Sequence, residues 1–445
     1  MVTEPAATPT ALIDELLGTV RAAGARLVDL QFSDIAGGVR AMTLPVDLLP
    51  AVLEHGYRFD GSAVTGGLRQ VELDLFLVPD PSTLILYPDA GGGHRARLAC
   101  SVHRRDGHPF AGNPRTVLER AVARAREDGF DYVAAVELEY YLFRPGTEEA
   151  TADAAGYFGI GDEPGSASRD EIVTTLQAMG IAVGGAHHET GPGQEELDLL
   201  PVDALRMADQ VLMVRQVIRS VAVRHGLKAS FMPKPRADAP GSGMHIFQRL
   251  HHANGGGDAL RGVDDDLSPV GRFAIAGLLE RARGMSAVLC PSVNSYKRLS
   301  AGHRAPRHAT WARLSQASLV RVPASGPSTN STIEIELRSP DNMANPYLAL
   351  ALSLACMLDG IQRGDEPPPP LDENLVRYDD EELARLGVTR LPATLGEALD
   401  AFAEDVVVRD TLGEYVTDQF LQVKRAEWDD YRRHVSPWEH ARYGE

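Results

Sequence analysis

The stretch Val136-Glu137-Leu138-Glu139-Tyr140-Tyr141-Leu142-Phe143 (VELEYYLF) has the composition of a buried β-strand, apolar, aromatic and β-branched, yet it carries two glutamates. Side chains alternate along a strand, so Glu137 and Glu139 share one face, about 7 Å apart. Two like charges on one strand face repel and resist burial unless a cation lies between them. The strand therefore predicts a cation-binding face within a sheet.

Other segments carry groups that could complete that face. The loop Ala186-His187-His188-Glu189-Thr190-Gly191-Pro192-Gly193-Gln194-Glu195-Glu196 is polar, contains glycine and adds three carboxylates. Gly241-Ser242-Gly243-Met244-His245 ends on a histidine at the start of a strand, and Ile333-Glu334-Ile335-Glu336-Leu337-Arg338 places Glu334, Glu336 and Arg338 on one strand face. An oxygen-rich set with one imidazole suits a hard ion, Mg²⁺ or Mn²⁺, whereas Zn²⁺ more often takes cysteine or several histidines. Arg298, Arg321 and Arg338 point to an anion, phosphate or carboxylate. Each group alone has a plainer reading: a solvated strand edge for the glutamates, a hydrogen-bonded core histidine, surface arginines. Their joint occurrence on apolar strands fits those readings poorly.

The chain has 445 residues, more than one ordinary core accommodates, and two domains are expected, 1–105 and 106–445. Net charge is −18, from 62 acidic and 44 basic residues, which disfavours nucleic acid and anionic membrane as partners. Three widely separated cysteines form no CxxC or disulfide framework, as suits a reducing cytoplasm. The N-terminus has an early Glu4 and no apolar core, so no secretion signal is expected, and the apolar run Leu348–Leu358 is too short to cross a bilayer.

The periodicity predicts an α+β fold. ARLVDLQFSD and RAMTLPV read as a hairpin closed by Ile35-Ala36-Gly37-Gly38, and LFLVPD and TLILYPDA as further strands. Residues 106–114 form a linker, after which Asn113 and Pro114 open a helix. Ser168-Arg169-Asp170-Glu171 matches a capping box for a helix ending at Gly180. A long helix is expected from about Pro201 to His225, then a strand KASFMPKP, and a strand from GSGMHIFQRL turning at Asn254–Gly257. Pro367–Pro370 reads as a rigid spacer before a helical C-terminal portion.

In this order, FDGSAVTG (59–66), VELEYYLF, AHHETGPGQEE, ASFMPKP, GSGMH, NSYKRL (294–299) and IEIELRSPDNMANPY (333–347) resemble class I glutamine synthetase in its compact form, from about residue 26 onward. The resemblance implies a small N-terminal β-grasp domain and a large catalytic domain whose curved antiparallel sheet is surrounded by helices. It implies a dodecamer of two stacked hexameric rings with active sites between neighbours. ATP would phosphorylate the γ-carboxylate of glutamate, and ammonia or an amine would displace the phosphate. By position, Glu139, Glu189 and Glu196 would hold one divalent ion, and Glu137, His245 and Glu336 a second, with two or three ions per site. Arg298 and Arg338 would grip glutamate, Gly241 would meet its amino group, Arg321 would contact nucleotide phosphate, and Asp60 would serve a neighbouring subunit's ammonium site.

The chain also departs from the family. The flap pattern glycine, any residue, glutamate, alanine, proline appears here as Gly302-His303-Arg304-Ala305-Pro306. A fixed cation at Arg304 disfavours a second cation nearby. On the nucleotide side, a family arginine falls on Gln316, a histidine on Phe247 and a basic residue on Glu334. Three readings follow: a ligase joining glutamate to an organic amine, which is the leading one, a glutamine synthetase using ammonia, or a non-catalytic regulator. The tyrosine modified in some relatives has no clear counterpart, because Val376 follows Asn374-Leu375 and Tyr378 lies two positions later.

Overall fold

The computed structural model describes residues 10–65, 74–88, 92–147, 156–161, 164–263, 266–300, 304–324, 332–373, 378 and 380–444. Gly66, Gly302, His303 and Asn374–Val376 of the motifs above lie outside these residues. The fold is α+β and holds two sheets, each with its own buried core.

The N-terminal sheet has six strands among the described residues. The expected hairpin is present, Leu27–Ser33 against Val39–Pro45, with Ser33 opposite Val39. Leu27–Ser33 also runs parallel to His94–His103, which pairs with Asp74–Pro79 and Ile85–Pro88. Tyr57–Asp60 closes the far edge on Asp74–Pro79.

The larger sheet has nine strands among the described residues, in the order Trp311–Ala312, Val320–Arg321, Ile335–Leu337, Met244–His252, Phe130–Phe143, Gln194–Leu199, Val183–His188. Val202–Asp203 and Lys228–Ser230 also pair with the central strand Phe130–Phe143. Every pairing is antiparallel except that of Trp311–Ala312 with Val320–Arg321. Alternation sorts the central strand: Tyr132, Ala134, Val136, Leu138, Tyr140 and Leu142 join the core, leaving Glu137 and Glu139 for the opposite face. Behind that core lie the helices Pro114–Glu127, Ala204–Arg224 and Pro346–Arg363. Asn113 caps the first as expected, its side chain accepting from the Arg115 N–H (3.3 Å), with Pro114 in the first turn.

Four local expectations are corrected. The capping box at Ser168 does not form: the helix begins at Pro164 and Ser168 is buried within it. The other side chains of that motif are engaged elsewhere, Arg169 with Glu195 (2.6 Å) and Glu171 with Arg224 and His225 (2.6 Å each). The long helix starts at Ala204 rather than Pro201, because Val202–Asp203 joins the central strand and the Asp203 side chain caps the helix from Arg206 N–H. Of KASFMPKP only Lys228–Ser230 lies in the sheet; Pro233 and Pro235 have no N–H to extend the ladder. The Asn254–Gly257 turn forms with Asn254 and Gly255 left-handed, but the returning chain makes a single bridge, His251 to Asp258, instead of a strand.

The helices Pro269–Glu280 and Pro346–Arg363 cross at Gly277 and Gly360, so closely that a Cβ on Gly277 would lie 2.0 Å from the Cys356 carbonyl oxygen. Alanine in place of glycine gains at most about 1 kcal/mol of helix propensity. Here it meets main chain, which cannot rotate away, and overpacking costs about 1–3 kcal/mol or more. Gly277→Ala is therefore expected to lower stability by about 2 kcal/mol, read as a lower urea midpoint in denaturation monitored by circular dichroism; an unchanged midpoint would show that the crossing is loose.

Candidate active site

The strand alternation that buries the core turns one set of polar side chains onto the opposite face of the large sheet. Glu137 and Glu139 come from the central strand, Gln194, Glu196 and Asp198 from its neighbour, His245 from the other side, and Glu336 and Arg338 from the strand beyond. The register places Glu139 directly opposite Glu196, and Glu137 directly opposite Asp198 and His245. Like charges directly opposite in an antiparallel pair are destabilising, and here two such pairs lie side by side.

His245 is the hub. Its Nδ1 lies 3.2 Å from Glu137 Oε2 and 3.7 Å from Glu336 Oε1, and its Nε2 lies 3.7 Å from Glu139 Oε1. Donor atoms converge to within 4.8 Å in three groups: Glu137, His245 and Glu336; Glu139, Glu189 and Glu196; and Glu137, Glu196 and Asp198. The first two are the sets expected from the sequence. Oxygen-rich donors with a single imidazole, packed as opposed like charges, fit hard divalent cations well. Asp198 was not singled out from the sequence, nor was Gln194, although the period-2 step through Glu196 could have found both. Gln194 Nε2 donates to Glu139 Oε2 (3.2 Å) and to the Gly241 carbonyl (3.0 Å), and the Gly243 N–H donates to the same Glu139 oxygen (3.0 Å).

A cavity of about 890 Å³ opens over this face. It is lined by all the expected metal-set residues except Glu336, and by Gly241, Arg298, Arg304, Gln316, Arg321 and Arg338. Glu336 lies beneath, fully buried, one oxygen taken by Arg321 Nη1 (2.7 Å) and the other by Arg338 Nη1. Arg338 Nε donates to the Gln316 carbonyl (2.9 Å). Arg298, on the helix Val293–Ser300, donates to the carbonyls of Ser339 (2.7 Å), Pro340 (3.1 Å) and Arg338 (3.0 Å). Glycine is required beside it: a Cβ on Gly241 would lie 2.7 Å from Arg298 Cγ, and one on Gly243 would lie 2.6 Å from Arg298 Nη2.

Three expected site residues lie elsewhere or are otherwise engaged. Phe247 shares the strand face of His245 but is half-buried and outside the cavity lining. Asp60 ends the outer strand of the N-terminal sheet, outside the lining of the cavity of its own chain, and accepts from the Ser62 N–H (2.9 Å). Glu334 pairs with Arg249 (2.6 Å). Tyr157, Phe158 and His187, which the sequence reading did not single out, line the cavity near Glu189.

The electrostatics follow the crowding. Burial, then Glu196, Glu336 and Asp198, push the Glu137 carboxyl up to about 10. Burial and then Glu196 raise Glu139 to about 7 and Asp198 to about 6. Burial, reinforced by Arg338, Arg298 and Arg321, holds His245 well below its ordinary range, keeping the imidazole neutral and able to act as a ligand.

Two family descriptions match the sequence: "Glutamine synthetase, beta-Grasp domain" over residues 24–105 and "Glutamine synthetase, catalytic domain" over 111–443. The chain belongs to the glutamine synthetase family. It is 40% identical to a glutamine synthetase of Thermus thermophilus over 442 residues, covering 96% of this chain and 98% of that protein. A Mycobacterium tuberculosis glutamine synthetase is likewise 40% identical, covering 95% and 97%. Among solved structures, a GmaS–ADP complex superposes with a TM-score of 0.85 at 31% identity, covering 96% of this chain and 99% of GmaS, and ligand-free GmaS with 0.83 at 30%, covering 97% and 99%. This member of the glutamine synthetase family is thus an ATP-dependent carbon–nitrogen ligase with an N-terminal β-grasp domain, which sets aside the regulator reading. No described helix is long and apolar enough to cross a membrane.

The raised carboxyls have a thermodynamic consequence. Glu137 and Glu139 hold protons in the folded chain from their ordinary value of 4.5 up to about 10 and about 7, whereas the unfolded chain releases them near 4.5. The folded state then binds more protons, so stability contributed at low pH is lost as pH rises through those values. Chelator-treated protein is expected to melt at a lower temperature at about pH 8 than at about pH 5.5, with Mn²⁺ raising the melting temperature more at the higher pH. Equal Mn²⁺-induced shifts at both pH values would contradict cation binding by this face.

Proposed function

We propose that this ligase phosphorylates the γ-carboxylate of glutamate with ATP and condenses the activated acid with an organic amine. The observation that carries the choice of acceptor is Arg304, which lines the cavity with Nη1 3.3 Å from Thr190 Oγ1, next to Glu189. A guanidinium fixed there disfavours an ammonium ion beside it. Likeness to a GmaS–ADP complex supports a nucleotide in the same cavity.

In this reading a γ-carboxylate oxygen attacks the terminal phosphorus of ATP and ADP leaves. The amine nitrogen then attacks the acyl carbon, the carbon–oxygen bond to phosphate breaks, and the nitrogen gives up a proton. Glu139, Glu189 and Glu196 would hold one divalent ion, Glu137, His245 and Glu336 a second, and Glu137, Glu196 and Asp198 form a third acidic group. Bound there, Mg²⁺ or Mn²⁺ would neutralise the phosphates and give both substrates a common template. Arg338 and the remaining N–H groups of Arg298 would grip the carboxylates of glutamate, and the main chain of Gly241 its amino group. Arg321 would meet the nucleotide phosphates, in a shell altered at Gln316 and Phe247. Asp60, which lies outside the lining of its own chain's cavity, would reach a neighbour's cavity in a ring assembly, a dodecamer in the cytoplasm, and accept the proton from nitrogen.

Ammonia as acceptor is the second reading, favoured by the 40% identity to proteins named glutamine synthetase. Phosphate release and amide formation with ATP, Mn²⁺, glutamate and either ammonia or a panel of amines separate the two, and amine-dependent turnover exceeding that with ammonia is expected. A rate highest with ammonia would overturn the amine reading. Glu137→Ala and Glu336→Ala are each expected to reduce turnover about 100-fold or more, since loss of even a supporting partner of a metal ligand typically costs about 10–100-fold; near-normal rates would refute the metal assignment. Arg304→Glu is expected to raise ammonia-dependent glutamine formation about tenfold, the effect of roughly 1.4 kcal/mol of reversed charge interaction, and no gain would make the charge at that position irrelevant.

A further inference from the structure

The rim of the cavity near Glu189 is built differently from its floor. Tyr157 and Phe158 line it while remaining 51% and 61% exposed. Phe158 adopts a left-handed backbone, φ 57°, uncommon for a bulky residue, and its ring stacks on His187 with centroids 4.1 Å apart. Tyr157 stands edge-on to both rings, at 4.5 and 5.6 Å. Arg304 reaches over this aromatic wall, its Cζ 5.8 Å from the Tyr157 centroid and its Nη1 donating to Thr190 Oγ1.

The four cavity-lining arginines are not equivalent. Arg298 is tied to three main-chain carbonyls, and Arg321 and Arg338 are tied to Glu336. Among the described residues Arg304 holds neither a carboxylate nor a main-chain carbonyl, although the chain has 62 acidic against 44 basic residues. A guanidinium held over an aromatic face by a cation–π contact keeps its planar fork of donors open to a carboxylate.

We propose that this rim is an acceptor subsite selecting a primary amine that also carries a carboxylate, an α- or ω-amino acid. Arg304 pairs with the carboxylate, and the Tyr157 and Phe158 rings cover the carbon spacer. The product is then a γ-glutamyl amide bearing an extra carboxylate, released with ADP and phosphate. A diamine is disfavoured because its second ammonium meets the guanidinium. The inference rests on the amine-ligase reading given above.

The test compares kcat/KM for 4-aminobutyrate, butylamine and putrescine, acceptors of one length with an anionic, neutral or cationic end, in the full-length protein with ATP, glutamate and Mn²⁺. The amino acid is expected to be preferred about tenfold or more over butylamine, with putrescine poorest. Arg304→Ala is expected to bring the ratio of 4-aminobutyrate to butylamine close to one, mainly by raising KM for the amino acid, and Arg304→Lys to retain part of the preference. Preference for butylamine or putrescine in the wild type, or a ratio unmoved in Arg304→Ala, overturns the proposal. Hydroxylamine, a small uncharged nucleophile, reports activation of the acid as a hydroxamate. Hydroxamate formed without carboxylate preference refutes the subsite alone, whereas no hydroxamate at all removes the ligase reading beneath it.

Discussion

The structure depends on a repulsion that its own groups relieve only in part: His187 Nε2 lies 3.4 Å from Glu196 Oε1, and Gln194 and the Gly243 N–H donate to Glu139. Two carboxylate pairs, Glu139 with Glu196 and Glu137 with Asp198, lie directly opposite one another on adjacent strands of a sheet whose other face is solid core. The strands cannot slip to separate them, because a shift of one residue would send Val136, Leu138 and Tyr140 to the polar face and the glutamates into the core. Core packing therefore holds like charges in register. Divalent cations would complete the neutralisation that His187 begins at Glu196, and the raised Glu137 and Glu139 carboxyls express the remaining repulsion as proton affinity.

Around this acidic centre the cationic groups are fixed by main chain as much as by counter-charge. Arg298 is anchored by three consecutive carbonyls, those of Arg338, Ser339 and Pro340. Gly241 and Gly243 pass so close to its side chain that any Cβ would displace it. Glu336 is clamped by two arginines in full burial, so the second carboxylate–imidazole group is tied to the residues proposed to meet substrate and nucleotide. Main-chain anchoring of this kind pre-organises Arg298, while Glu336, Arg321 and Arg338 hold one another in place within reach of the cavity.

The two ends of the cavity differ in how far they are committed. The floor is interlocked: Gln194 and the Gly243 N–H hold Glu139, His245 Nδ1 lies 3.2 Å from Glu137, and two arginines hold Glu336. The rim is looser, with two largely exposed aromatic rings and an arginine held by one hydroxyl and one ring face, and it joins the floor through His187, whose Nε2 lies 3.4 Å from Glu196 Oε1. Phosphoryl transfer tolerates little variation in charge placement, and under the proposed reading acceptor choice would be set by rim side chains that can be exchanged without disturbing the sheet.

Much of this was legible in the sequence, and the reason is periodicity. Alternation is a local property of an extended backbone, so VELEYYLF alone establishes that Glu137 and Glu139 share a face, and IEIELR that Glu336 and Arg338 do. The caps at Asn113 and the hairpin at residues 35–38 were equally local. Boundaries were misplaced where a neighbour intervened: Val202–Asp203 was drawn into the sheet, and Arg169 and Glu171 were engaged by distant partners rather than by a capping box. Cross-strand register, the burial of Glu336 between two arginines and the placing of Arg304 over the Tyr157 ring all join residues remote in the chain. The sequence by itself determined which side chains face the same way along each strand; only the tertiary structure decided which strands lie adjacent, because that choice is made by packing of the whole core rather than by the backbone of any one segment.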